Sequence, residues 1–253
     1  MCEVCGCANA TGHFHVAGTI LHTDSGRQVE VLQAMLHDND RQAAHNRAHF
    51  NAAGALVVNL MSSPGAGKTS LLEATIHALR GKVTIAVIEG DLETENDARR
   101  IRGAGAQAVQ ITTGSACHLD ASMVHAALHT LDLRNVDILF IENVGNLVCP
   151  ASFDLGQHKN VVLLSVTEGD DKPEKYPVMF RAADLLAITK IDLTEAVGDF
   201  HTLRALRHFR HLANPAPMLE LSARNGAGMA AWIGWLLAER EARGPSNASL
   251  ASD

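Results

Sequence analysis

One octapeptide constrains this chain more than any other feature. Ser62-Ser63-Pro64-Gly65-Ala66-Gly67-Lys68-Thr69 follows an apolar run at residues 55–61 and opens a helix-forming stretch at 68–80 that Gly81 ends. A glycine-rich turn between strand and helix lets backbone N–H groups converge on an anion, and the helix N-terminus adds a favourable dipole. The octapeptide matches the last part of the Walker A pattern, with Ser62 where the usual first glycine would stand. In that context Gly65, Ala66, Gly67 and Ser70 are expected around phosphate. Lys68 is expected to neutralise the β- and γ-phosphates, and the Thr69 hydroxyl to ligate Mg2+.

The rest of the chain agrees with such a turn. Apolar runs at 55–61, 83–88, 106–111, 136–141, 161–166, 185–188 and 218–221 read as buried parallel strands. Helical stretches at 68–80, 94–102, 121–131, 176–181, 200–212 and 229–240 stand between most of them. Strands alternating with helices predict an α/β fold: a P-loop domain with a doubly wound, mostly parallel sheet of about seven strands and helices on both faces. The expected organisation is an N-terminal arm and helix at 1–54, a nucleotide-hydrolysing domain at 55–243 and a disordered tail at 244–253. Within the arm, 6–26 reads as a mobile segment and 29–50 as a helix.

The strand ends suggest which nucleotide is bound. Thr189-Lys190-Ile191-Asp192 follows the sixth strand and is similar to the NKxD guanine-specificity box, with threonine in the asparagine position. A carboxylate at Asp192 could accept both the ring N–H and the exocyclic amine of guanine, an arrangement adenine does not offer. Lys190 would flank the base, and Ser222 and Ala223, after the seventh strand, would complete its pocket. Glu142-Asn143-Val144-Gly145 ends the fourth strand as ExxG, where many GTPases show DxxG. Glu142 would bind Mg2+ through water, and the Gly145 amide would touch the γ-phosphate and make the following loop sense nucleotide state. Asp91, at the end of the second strand, could reach Mg2+ or orient the attacking water. Glu89 reads as a residue solvating the strand end. Lys68, Asp91, Glu142 and Gly145 are thus the expected catalytic set; with no obvious arginine finger in cis, turnover should be slow.

Five cysteines, an odd number, make a disulfide framework improbable and point to metal or redox chemistry. Cys2, Cys5 and Cys7 place three thiolates within six residues. Removal of Met1 would add a free α-amine, giving four ligands suited to square-planar Ni2+, although zinc would take a tetrahedral version. No thioredoxin-like context favours redox use. Cys117, His118 and Cys149 lie beyond the carboxyl ends of strands, Cys149 four residues past Gly145. They are too few for a closed Ni2+ or Zn2+ site, which a symmetric dimer would complete. His125 and His129 are spaced i, i+4 and could bind metal, with a polar helix face as the plainer reading. His13 and His15 could assist the cysteine cluster or stand solvated. A net charge of −7 and no basic stripe exclude a nucleic-acid footprint, and no apolar run is long enough for a membrane span. The first fifteen residues lack a secretory pattern, so a cytoplasmic location is expected.

Taken together, CEVCGC, SSPGAGKTSLL, EGDLETENDARRI, GSACHLDA, FIENVGNLVCP and the TKID box resemble the HypB family, nickel-binding GTPases of [NiFe]-hydrogenase maturation, over nearly the whole chain. The resemblance implies a high-affinity nickel site at Cys2, Cys5 and Cys7. It also implies a nickel or zinc site at Cys117, His118 and Cys149 on a GTP- and metal-dependent homodimer interface. A HypA-type metallochaperone and a hydrogenase large-subunit precursor are the implied partners. Two rivals are a urease-type maturation GTPase, to which the CHLDA segment and CxxCGC head do not belong, and a metal-storage protein with structural nucleotide binding.

Overall fold

Strands covered on both faces need mostly apolar residues, and the seven apolar runs supply them. In the computed structural model, which describes residues 13–16, 19–22 and 25–243 apart from positions 92, 94 and 115, with side chains from residue 34 onward, they form one sheet. The first described element is a short antiparallel hairpin, β1 (His13–Val16) and β2 (Thr19–His22), where the sequence predicts an irregular arm. A 29-residue helix, α1 (Ser25–Ala53), follows and extends past both predicted ends.

The domain then runs β3 (Leu56–Met61), α2 (Lys68–Leu79), β4 (Ile85–Asp91), α3 (Asn96–Ala104), β5 (Gln107–Thr112), α4 (Ala121–Leu128) and β6 (Ile138–Glu142). After a 3-10 turn at Cys149–Ser152 come β7 (Lys159–Ser165), α5 (Lys172–Lys175), α6 (Pro177–Arg181) and β8 (Leu185–Thr189). A second 3-10 turn (Ile191–Leu193), α7 (Thr194–Val197), α8 (Thr202–His211), β9 (Met218–Glu220) and α9 (Met229–Glu241) complete it. The helix expected at 176–181 is α6; the short α5 before it was not anticipated and stays separate because Pro177 withholds the N–H that would join the two.

The strand order is β5-β4-β6-β3-β7-β8-β9, and every pairing is parallel. The chain leaves β3 toward β4 and β5, returns to β6, then crosses to β7 on the other side. β3 and β6 are therefore neighbours at the point where the winding reverses, and a crevice opens beyond their carboxyl ends.

Alternation along each strand sorts the core into two faces. Leu56, Val58, Leu60, Val87, Phe140 and Leu163 point toward α2, α3 and α9. Val57, Ala86, Ile88, Leu139 and Ile141 meet α1 and α4, while Val162, Leu164, Leu186 and Ile188 meet α6 and α8. Trp232 of α9 is fully buried and donates to Thr75 Oγ1 of α2 at 2.8 Å, so the indole N–H pairs without reaching solvent. On the opposite face α1 is tied down by amides. Asn39 donates to the Asp154 carbonyl and accepts from Ala121 N, and the buried Asn46 donates to the carbonyls of Ala121 and Leu155.

Candidate functional site

The turn from β3 to α2 closes under glycine rules. Gly65 (φ 75°) and Gly67 (φ 100°) occupy the left-handed region, Gly67 serving as the N-cap of α2, and a side chain at either would strain it. Lys68 and Thr69 are buried at the start of α2. Lys68 Nζ donates to Ser62 Oγ at 3.2 Å, and Thr69 Oγ1 donates to Glu142 Oε1 at 2.9 Å. Ser62, standing where a glycine is usual, is thus fully buried and employed as the lysine's partner.

Register explains the acidic floor. Leu60 pairs with Glu142 and Glu142 with Glu89, so both carboxylates project to the α2 face of adjacent strands. Glu89 Oε2 and Glu142 Oε2 are buried without hydrogen-bond partners. Burial and the facing Glu142 push the Glu89 carboxyl up to about 11, and burial also raises Glu142 against the opposing pull of Lys68. Two partnerless carboxylate oxygens beside a threonine hydroxyl are the hard-oxygen donor set that Mg2+ takes, so the residues fit that ion. Glu89, read from sequence as a solvated strand end, is instead buried in this floor; the signal that would have found it is the register between neighbouring strands. Asp91 lines the same cavity, with its carbonyl accepting from Thr113 N.

The cavity, about 400 Å3, is bounded by the glycine-rich turn, Glu89, Asp91, Asp97, Arg100, Glu142 and Gly145. Arg100, also not anticipated, is held by Glu73 at 2.6 Å and Asp97 at 2.9 Å. Gly145 lies so close to the turn that a methyl there would stand 2.8 Å from Pro64 Cα and N. An adjoining pocket of about 180 Å3 shares Gly67, Ser70 and Lys190 and continues to Thr189, Asp192, Ser222, Ala223 and Arg224. Lys190 adopts φ 58° and donates to the Gly65 carbonyl at 2.6 Å, so its stem separates the two pockets. The Thr189 hydroxyl donates to the Ala66 carbonyl at 2.7 Å, tying this strand end to the glycine-rich turn. Ser222 Oγ donates to Asp192 Oδ1 at 2.6 Å and fixes the carboxylate at the pocket's end.

A second cluster stands behind β6. Cys117 and Cys149 sulfurs are 3.0 Å apart, and His118 Nδ1 is 3.7 Å from Cys117 Sγ. The three can present ligand atoms within 4.8 Å of one another, a sulfur–nitrogen set suited to nickel or zinc. His118 stacks on Phe153 with centroids 3.9 Å apart, and burial lowers its pKa, which favours the neutral imidazole a metal needs. This cluster is wired to the first site. Asn143 Oδ1 accepts from Leu119 N and Val144 N, and Asn146 Nδ2 donates to the Cys117 carbonyl at 3.3 Å. Cys2, Cys5, Cys7 and the 244–253 tail lie outside the described residues, as do the side chains of His13 and His15.

The comparisons with known proteins follow this geometry. The CobW/HypB/UreG nucleotide-binding domain matches residues 56–219. The hydrogenase maturation factor HypB of Azotobacter vinelandii is 51% identical over 217 residues, spanning 86% of this chain and 71% of that protein. The nickel-complexed HypB of Helicobacter pylori superposes with a TM-score of 0.78 at 42% identity, covering 83% of this chain and 98% of that one. The HypB hydrogenase maturation factor of Archaeoglobus fulgidus gives 0.76 at 40%, covering 81% and 100%. With its phosphate-type turn, acidic floor and thiol–imidazole cluster on that shared framework, the chain belongs to the CobW/HypB/UreG family and, within it, to the HypB hydrogenase maturation factors.

Proposed function

We propose that the protein hydrolyses GTP and uses the cycle to gate delivery of nickel to a [NiFe]-hydrogenase. The carrying observation is the pair of asparagine links from the loop after β6 to the Cys117–His118 segment. Gly65, Ala66, Gly67, Lys68, Thr69 and Ser70 cradle the phosphates, and Lys190, Asp192, Ser222 and Ala223 take guanine. Thr69, Asp91 and Glu142 hold Mg2+, with Glu89 added to that set; when bound, the ion supplies positive charge beside the terminal phosphates. Lys68 neutralises charge building on the transferred group, and Asp91 orients water.

Contact of the γ-phosphate with the Gly145 amide orders residues 145–149 and so repositions Cys149 relative to Cys117. Nickel is cargo at Cys117, His118 and Cys149, where zinc is also accommodated, and at Cys2, Cys5 and Cys7 in the 1–54 arm. A GTP-loaded homodimer completes the shared thiol–imidazole site; hydrolysis opens it. A HypA-type metallochaperone and the hydrogenase large-subunit precursor in the cytoplasm are the partners this scheme needs.

The test is thermodynamic. Nickel affinity at Cys117, His118 and Cys149 should differ roughly 5–150-fold between GDP and GTP-analogue states, and nickel must change nucleotide affinity by the same factor. Cys149→Ala should erase that coupling while nucleotide binding persists. Independence of the two affinities in the wild-type protein would refute gating.

A further inference from the structure

The packing of α1 on α4 creates a feature unrelated to nucleotide. His45 and His49 lie one turn apart on α1 and face His125 of α4, whose C-cap is His129. Ring centroids are 4.6 Å apart for His45 and His49, 5.0 Å for His45 and His125, and 4.9 Å for His125 and His129. His45 Nε2 and His49 Nε2 approach to 3.1 Å. His45, His49 and His125 can each present a ring nitrogen within 4.8 Å of the other two. His49 and His125 border a groove of about 570 Å3 formed with Leu128, His129 and Leu131.

We propose that His45, His49 and His125 form an imidazole site for a borderline divalent transition-metal ion, distinct from the Cys117–His118–Cys149 cluster. Nitrogen ligands at about 2.0–2.1 Å from a metal stand about 2.9 Å apart when cis in a square plane and about 3.3 Å apart in a tetrahedron. The 3.1 Å His45–His49 spacing falls between these values, where one coordinating ion can replace the single proton that two facing nitrogens share.

The fold also fixes the chemistry of the third ligand. Buried Asn46 spends its NH2 group on the carbonyls of Ala121 and Leu155, so its oxygen must be the atom facing His125 Nδ1 at 3.2 Å. His125 therefore donates from Nδ1, and its Nε2 carries the lone pair. A second-shell acceptor that sets the tautomer and orients the ring is what metal-binding histidines ordinarily have. Soft thiolates are absent from this trio, so the site should favour ions that accept nitrogen, such as nickel(II) and zinc(II), over copper(I).

The site lies along α4 from the thiol–imidazole cluster. Asp120, two residues after His118, caps the helix, and His125 follows about 6 Å along the axis from the first helical residue. An ion held here would wait beside the nucleotide-coupled cluster without being part of it.

The experiment uses the full chain with Cys2, Cys5, Cys7, Cys117 and Cys149 changed to serine, and Ni2+ alone as probe in equilibrium dialysis. One bound equivalent should remain. It should be lost, or weakened well beyond the roughly 10–100-fold typical of an outer-shell change, in His45→Gln and in His125→Gln. His211→Gln, an exposed histidine on α8, should leave it unchanged. Because His45 and His49 are exposed, their replacement disturbs no core packing. If the cysteine-free chain does not fold, the same single changes in the wild-type background should each lower total nickel by one equivalent. No equivalent in a folded cysteine-free chain, or one that survives His125→Gln, would overturn the proposal.

Discussion

Replacing Gly145 with alanine puts the loop after β6 under a known load. The added methyl would stand 2.8 Å from Pro64 Cα and N, backbone atoms of the glycine-rich turn that cannot swing aside as a side chain would. Ordinary carbon contacts begin near about 3.5 Å, so the loop must retreat by about 0.7 Å. If the Gly145 amide contacts a γ-phosphate at about 2.9 Å, that retreat stretches the bond to about 3.6 Å, beyond hydrogen bonding. A hydrogen bond to a charged group contributes about 1.5–3 kcal/mol, or roughly 10–150-fold in affinity. GDP lacks the γ-phosphate and should bind almost as before. Competition titration of a non-hydrolysable GTP analogue against GDP measures the ratio directly. An unchanged ratio in Gly145→Ala would show that this amide does not read the γ-phosphate, and the proposed gate would lose its trigger.

Asp192→Asn should weaken GTP severely and shift preference toward xanthine nucleotide, whose extra carbonyl accepts the new amide; wild-type protein binding ATP as tightly as GTP would remove the guanine assignment. Acid should act through His158, whose Nδ1 accepts from Val57 N at 2.9 Å. Burial, then Arg243, Arg47 and Lys159, hold its pKa down to about 4, whereas the unfolded ring takes a proton near 6.5. The stability this provides is complete above about pH 6.5 and is lost as pH falls toward 4, at no more than about 1.4 kcal/mol per pH unit and less for a ring partly in solvent. His158→Asn, which keeps an acceptor for Val57, should flatten that slope in denaturant titrations between pH 6.5 and 4.5; an unchanged slope would place the acid sensitivity elsewhere.

The strands were legible because parallel strands covered on both faces must be mostly apolar, and 185–188 or 55–61 could be little else. Their ends were less so. β4 continues past Ile88 through Glu89, Gly90 and Asp91 because it pairs with β5 as far as Thr112, a partnership no local pattern announces. The same blindness hid Glu89, whose place opposite Glu142 depends on which strands are neighbours. The placing of Lys68 and Thr69 at the glycine-rich turn, of Asp192 in the adjoining pocket and of Cys117 beside Cys149 was readable because each sits in a short motif. Asn143, Asn146 and Asn46 were not. A buried amide that joins segments dozens of residues apart looks in sequence like any asparagine.

The carboxylates of Glu89 and Glu142, set opposite each other by register, give the protein a proton inventory as well as a charge. Burial raises both carboxyls and so favours a protonated pair without a cation; if a divalent ion binds at Thr69 and Glu142 as proposed, those protons must leave. On the proposed scheme, loading the nucleotide site would therefore also be an acid–base reaction with the surrounding buffer. Apparent affinity for the cation must strengthen as pH rises. The heat of loading must change with the buffer that takes up the protons. A shift in local acidity would alter nucleotide occupancy even at constant nucleotide and metal concentrations.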